Sequence, residues 1–448
     1  MLMTTTSLLA INAAQASTIS SFMAGDLVVS VEGNGSGTGS YSDNQAAPLT
    51  LAEFGVTGTQ DATLSGTLEL PQTASKGNYA ISGEYGSSSE GSLQLSGNGQ
   101  YLTIMGYDVN AQAYNSQYDV NGTGTALAQS QSSSVSRVVA LIGANGSVNT
   151  STALTNVFSG NNPRSVYTVN GTSFLISGQG TKGDATGGVF TATLGAQTAT
   201  PVTGQDSTYK SKPSSQDTRF VTQYNGQTYV SIDSGTGSPN RSYIATIGST
   251  GALTPLNGMA AGTVTLNGAN GNSINKGSGT VNLSPENFYF ANSSTLYVAD
   301  SGSPKNGSSL GDGGLQKWSL EGSSWVLDYT LNAGLNLVAN SASSGTTGLL
   351  GLTGKLVGNS VELYATNYTI GDTDPTYLYG ITDLLTATTA PSGEKFTLLA
   401  TAAADTNFKG VSFAPVSAVP LPGALPLFGG AIAMVGVMAR RRTKNVTA

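Results

Sequence analysis

The chain runs to 448 residues, long enough to bury a large core, and its formal charge of −7 argues against nucleic acid as a partner. Histidine and cysteine are both absent, which excludes Ser-His-Asp and Cys-His catalysis, thiolate metal sites and any disulfide framework. Only 10% of residues are charged and 59 are glycine, so the fold must be turn-rich, with Ser, Thr and Asn covering its outer face.

At the start, Leu8, Leu9, Ala10 and Ile11 lead to Ala14-Gln15-Ala16 and then Ser17, an A-x-A pattern that predicts a signal peptide over 1–16 with cleavage after Ala16. No Lys or Arg precedes the apolar run, which predicts a signal whose charged beginning lies upstream of Met1.

Short segments of alternating apolar and polar residues follow: DLVVSVEG (26–33), LTLAEFG (49–55) and TLSGTLELP (63–71). A two-strand unit then recurs five times, about every 55 to 70 residues. Its copies are SLQLSGNGQYLTIMGY (92–107), RSVYTVNGTSFLISG (164–178), RFVTQYNGQTYVSIDSG (219–235), ENFYFANSSTLYVADSG (286–302) and LLGLTGKLVGNSVELYATNY (349–368). Asn98-Gly99, Asn170-Gly171 and Asn225-Gly226 are placed as two-residue hairpin turns. A third alternating segment follows each copy, as in RVVALIG (137–143), and several are trailed by a fourth, as in WVLDYTL (325–331).

Four antiparallel strands per unit predict an all-β fold, a single β-propeller over 17–416. NFKGVSFAPV (407–416) supplies one last strand, and the three N-terminal segments complete its blade and close the ring. The count is six blades, or seven if 108–135 or 258–285 holds another.

Without histidine or cysteine, paired carboxylates are the remaining route to hydrolysis, and Glu286, Glu362, Asp233 and Asp300 lie on or beside the first two strands of their units. Sequence brings no two of them together, so the reading is non-enzymatic, with no catalytic residue, cofactor or metal ligand assigned. Asp300, Asp312, Asp372 and Asp374 read as solvated turn aspartates, with calcium as the alternative. Tyr101, Tyr229, Tyr297 and Tyr364 share one place in the repeat, which predicts packing and not sugar stacking.

The chain closes on an apolar run from Leu421 to Ala439, just long enough to span a bilayer, then Arg440, Arg441, Arg442 and Lys444. The basic end predicts that everything before Pro420 lies outside the cytoplasm. The whole tail, VPLPGALPLFGGAIAMVGVMARRR (419–442) within 417–448, resembles the PEP-CTERM sorting signal in its VPLP variant, with Leu421 where the family carries a glutamate. The resemblance implies recognition at Pro420, Leu421 and Pro422 by an exosortase-type membrane protease, a transmembrane helix over 421–439 held until processing, and Arg440, Arg441 and Arg442 as the stop. A permanent anchor is the alternative. The body, in SEGSLQLSGNGQYL (89–102) and TLYVADSG (295–302), resembles uncharacterised secreted propeller-like proteins that carry such tails. Together these imply a cell-surface, outer-membrane or matrix protein associated with exopolysaccharide, acting by binding or scaffolding. A carboxylate-dependent polysaccharide enzyme and a calcium-stabilised adhesion module are the alternatives.

Overall fold

The structure is a computed structural model that describes residues 17–35, 41–118, 126–181, 184–203, 217–233, 242–266, 280–302 and 312–417. The signal-peptide residues Ala14 and Ala16, and the tail residues Pro420, Leu421, Pro422, Arg440, Arg441 and Arg442, lie outside them, as does the expected helix at 421–439. Among the described residues no helix is long and apolar enough to cross a membrane.

The N-terminal strands are β1 (Ser17–Thr18), β2 (Leu27–Gly33), β3 (Ala46–Val56) and β4 (Ala62–Glu69), followed by β5 (Ser82–Glu84), β6 (Gln94–Leu95), β7 (Tyr101–Tyr107), β8 (Arg137–Gly143) and β9 (Val148–Leu154). A helix α1 (Ala111–Tyr118) stands between β7 and β8. Five separate antiparallel sheets of four or two strands come next. One holds β10 (Pro163–Tyr167), β11 (Ser173–Gly178), β12 (Gly188–Thr193) and β13 (Thr200–Pro201); another β14 (Thr218–Tyr224), β15 (Gln227–Asp233), β16 (Ser242–Ile247) and β17 (Leu253–Pro255). A short ladder of β18 (Thr263–Thr265) and β19 (Thr280–Asn282) precedes the sheet of β20 (Pro285–Asn292), β21 (Thr295–Asp300), β22 (Gly314–Glu321) and β23 (Ser324–Leu331). Then come β24 (Thr346–Val357), β25 (Ser360–Thr369), β26 (Tyr377–Leu384) and β27 (Thr397–Thr401), and finally β28 (Thr406–Phe413).

Each four-stranded sheet is an up-and-down meander, the form of a propeller blade, and the arrangement is propeller-like. The expected closure is present: β28 pairs antiparallel with β2, which pairs with β3, which pairs with β4, so the two ends of the body share one sheet. Strand β3 belongs to two ladders. Its beginning at Ala46, Ala47 and Pro48 pairs with β5, and its remainder with β2 and β4, which fuses the closing strands with β5–β9 into one ten-stranded sheet. Of the stretches held open for a seventh blade, 258–285 contributes only the two-stranded ladder among its described residues and 108–135 only α1 and one 3-10 turn.

The turn prediction is corrected in part. Only Asn225-Gly226 has both residues at positive φ, at 48° and 77°. At the other two pairs only Gly99 and Gly171 do. Asn98 and Asn170 stay at ordinary φ because each side-chain carbonyl accepts the N–H two residues on, at 3.1 Å from Gln100 and 3.2 Å from Thr172, an Asx turn.

Alternation puts apolar side chains on both faces of each sheet, and the core is divided among the gaps between neighbouring sheets. Phe220, Phe288, Leu296, Trp318 and Trp325 fill the gap between β14–β17 and β20–β23, and Tyr297, Tyr329, Leu349, Leu363 and Phe396 the next. Each such side chain contributes about 1.5–3 kcal/mol on burial. The outermost strands β13 and β17 are two or three residues long and each ends in proline, which leaves little free edge to pair with another chain.

Candidate functional site

Six strands, β6, β10, β14, β20, β24 and β28, here called first strands, neighbour one another in that order, and β28 returns to β6. They approach closely because small residues sit where their backbones meet: a Cβ on Gly410 would collide with the backbone of Leu93, and one on Gly351 with the carbonyl of Lys409. Hydroxyls staple five second strands to the next first strand. Ser30 donates to the Gly91 carbonyl at 2.5 Å, Thr103 to Val166 at 2.7 Å, Ser177 to Arg219 at 2.6 Å and Ser231 to Glu286 at 2.9 Å. Thr366 does the same to Lys409.

One position near or just before the start of each of these strands faces a common narrow cavity: Ser92, Arg164, Arg219, Glu286, Leu350 and Lys409. Charge therefore converges on the axis of a chain that is otherwise poor in it. Arg219 is the hub, with Glu286 Oε2 at 3.1 Å, Asp217 Oδ1 at 3.4 Å and Asp233 Oδ2 at 3.8 Å. Arg164 pairs with the same Asp217, and Lys409 Nζ lies 3.4 Å from Glu32 Oε2.

Burial dominates the titration of these acids. It pushes Glu286 up to about 7 despite Arg219, and Glu32 up to about 8 against the pull of Lys409. Glu84 rises to about 9 through burial and then the neighbouring Glu90, whose own carboxyl is raised by burial and held by Tyr107 and Asn162. Fully buried Arg137 stacks over Tyr107 at 4.6 Å and donates to the carbonyls of Val135, Ser130 and Phe158 at 2.7, 2.7 and 2.8 Å, tying the chain after β9 to the loop before β8.

Three of the four candidate acids are thus gathered. Glu286 and Asp233 share Arg219, and Ser284 links Asp233 to Asp300: its Oγ donates to Asp233 at 2.8 Å and its N–H to Asp300 at 2.7 Å. Glu362 stands apart, paired with Lys355 at 3.0 Å. The picture of Asp300 and Asp312 as solvated turn aspartates is overturned. Asp300 is fully buried, accepting from Ser284, Gly302 and Gln316, and Asp312 is buried and accepts the Asn282 N–H at 2.6 Å. Asp374 accepts the N–H groups of Gly345 and Gly371, as a turn aspartate does. Among the described residues no cluster of acids is arranged to hold a metal.

The aligned tyrosines divide. Tyr297 and Tyr364 are fully buried, whereas Tyr101 and Tyr229 are half-buried. Tyr297 and Tyr329 both donate to Asp383, which also receives Lys317 Nζ at 2.8 Å, a buried clamp between two sheets. Ser17, the predicted first residue after cleavage, begins β1, which pairs parallel with β4.

Toward the far ends of the same strands lies a funnel of 300 Å³. No charged residue lines it. Gln94, Phe220 and Phe288 are buried deep in it, and Tyr224, Tyr289 and Phe413 stand half-buried nearer its mouth with Thr222, Gln223 and Thr353. Tyr224 stacks on Phe290 at 4.6 Å, and Tyr289 has its hydroxyl pushed up to about 12 by burial, so it stays a neutral donor. Sequence reading missed this funnel.

No protein-family model matches the chain, and no curated protein matches it. Among solved structures it is similar to an oligogalacturonate lyase in complex with manganese (8% identity, TM-score 0.35, 75% of each chain covered). It is also similar to a GH43 β-xylosidase/α-arabinofuranosidase from a compost microbial metagenome in complex with xylotriose (8%, 0.34, 71% of this chain and 97% of that one). A third is the β-propeller domain of the Trilobed protease from Pyrococcus furiosus (10%, 0.30, 84% and 99%).

Proposed function

We propose that this protein is an exported surface or matrix component whose six-bladed propeller binds a neutral glycan in its axial funnel and does no chemistry on it. The observation that carries the reading is the funnel itself. Half-buried aromatic rings offer faces for sugar C–H groups, amides and hydroxyls offer partners for sugar hydroxyls, and no charge stands beside them. Six blades follow from taking the ten-stranded sheet as two, joined at β3; the closed succession of six first strands supports this count. The non-enzymatic reading is supported by the state of the gathered acids. Each is buried and engaged with Arg219, with serine hydroxyls or with backbone N–H groups, which suits a structural plug.

The test is calorimetric titration of the body, residues 17–416, with size-fractionated neutral exopolysaccharide from its native host. Saturable binding that Thr222→Trp abolishes by filling the funnel is expected. Heat from no glycan at all would sink the reading, and release of shorter fragments would replace binding with hydrolysis.

Export through the tail rests on the VPLP run, the apolar span and the arginine cluster. The intact mass of the protein from outer-membrane and medium fractions should end near Val419 to Pro422. Retention through Ala448 would make the tail a plain anchor, with no part for an exosortase-type protease.

A further inference from the structure

We infer that the funnel takes the end of a glycan chain, not its middle; this rests on the glycan-binding reading above. An internal segment of a polymer needs an open groove, or a channel clear through, because chain continues on both sides of the bound units. This funnel is blind. Gln94, 4% exposed, reaches from β6 past β10 and donates its Nε2 to the Val221 carbonyl on β14 at 3.0 Å, so one side chain bars the axis. Beside it Phe220 and Phe288 meet edge to face at 5.3 Å and are 8% and 3% exposed. Phe220 also lines the charged cavity behind, where Arg219, Glu286 and Lys409 fill the rest of the axis. Exposure rises from this floor to the half-buried Thr222, Gln223 and Tyr224 at the mouth, as in a pocket entered from one side.

The volume of 300 Å³ lies at the lower end of the range of about 300–1,000 Å³ typical of small-molecule sites, which suits one or two terminal sugars. The lining also discriminates among chain ends. A peptide terminus carries a charge, and burying it against an uncharged wall is unfavourable. The end of a neutral glycan carries only hydroxyls, which the Gln223 amide and the Thr222 and Thr353 hydroxyls can meet.

Stoichiometry tests this directly. Neutral exopolysaccharide of the native host is cut by partial acid hydrolysis into a ladder of sizes, and each size is titrated into the body, with bound protein counted per glycan chain by light scattering. For an end-binder the count stays at one protein per chain from short oligomers to the longest polymer, and affinity per mole of chain is constant. A count that climbs in proportion to length overturns the inference while leaving glycan binding intact. The absence of binding at every length removes the glycan reading, and the inference with it. Thr222→Trp serves as the control and should lower the count to zero at all lengths without shifting the melting temperature by more than a few degrees.

Discussion

The two ends of the axial channel are built from the same first strands yet have opposite chemistry. Near the strand starts, Arg164, Arg219, Glu286 and Lys409 face inward, and each is paired at short range: Arg219 with Glu286, Arg164 and Arg219 with Asp217, and Lys409 with Glu32. One to five residues on, the lining holds Phe220, Tyr224, Phe288, Tyr289 and Phe413 and no charge. Converging charges that are already paired leave less for a ligand to gain, since a newcomer must compete with an existing pair, even though Glu286 Oε1 keeps no hydrogen-bond partner. Uncharged rings and amides that remain half-buried have unspent surface. On the proposed reading, the charged, more eye-catching end is the keel and the plain end is where the glycan binds.

The sharpest way to break that division is Arg219→Met. Glu286, Asp233 and Asp217 would lose a shared partner while remaining buried, and the loss of one member of such a knot costs about 3–5 kcal/mol. Denaturant unfolding should register this, whereas glycan affinity of the folded fraction should change less than twofold. Equal loss in both would mean that the ends act as one site.

Stability should also depend on pH. Glu286, Glu32 and Glu84 titrate in the fold at about 7, 8 and 9, above the ordinary value of 4.5, so the folded chain holds protons that the unfolded chain has released. Their contribution is complete below pH 4.5 and is lost as pH rises through the folded values, at up to about 1.4 kcal/mol per pH unit for each carboxyl still protonated. Melting temperature should therefore fall between pH 5 and 9. Binding in the funnel should stay flat over that range, because no charged group lines it. A binding curve that tracks the melting curve would break the comparison.

A smaller effect is expected of Ser231→Ala. Its hydroxyl accepts the Phe220 N–H at 3.1 Å and donates to the Glu286 carbonyl at 2.9 Å, so removing it leaves two buried backbone groups short of a partner, at about 1–3 kcal/mol. This staple was legible in sequence. The serine stands two residues after Tyr229, as Thr103 follows Tyr101 and Thr366 follows Tyr364, and Ala299 after Tyr297 marks the one copy without it. The plug was legible too. Arg164, Arg219 and Glu286 open their copies of the repeat, and a charge recurring at one place in so weakly charged a chain is a signal. Local period and turn residues reveal strands and repeats because both act within a few neighbours. They do not reveal which acids meet: Asp233, Glu286 and Asp300 belong to different strands, and only the closure of the ring brings them to one axis. The funnel was hidden for the same reason, as its aromatic residues read strand by strand as core.

The smallest effect is the one that separates the two ends most cleanly. Tyr224→Ala removes a half-buried ring at the funnel mouth that stacks on Phe290 and touches no member of the charged knot. A lost aromatic contact is worth about 0.5–1.5 kcal/mol, so glycan affinity should weaken roughly two- to tenfold. Tyr224→Phe keeps the ring and should retain most of the binding, which tells stacking from hydrogen bonding by the phenol. Stability should move by no more than the stacking energy with Phe290, and the fall of melting temperature with pH should be unchanged, since the plug is untouched. A Tyr224→Ala protein that binds as the parent does would move the glycan contact off this ring, toward Tyr289 on the neighbouring strand or Phe413 across the mouth.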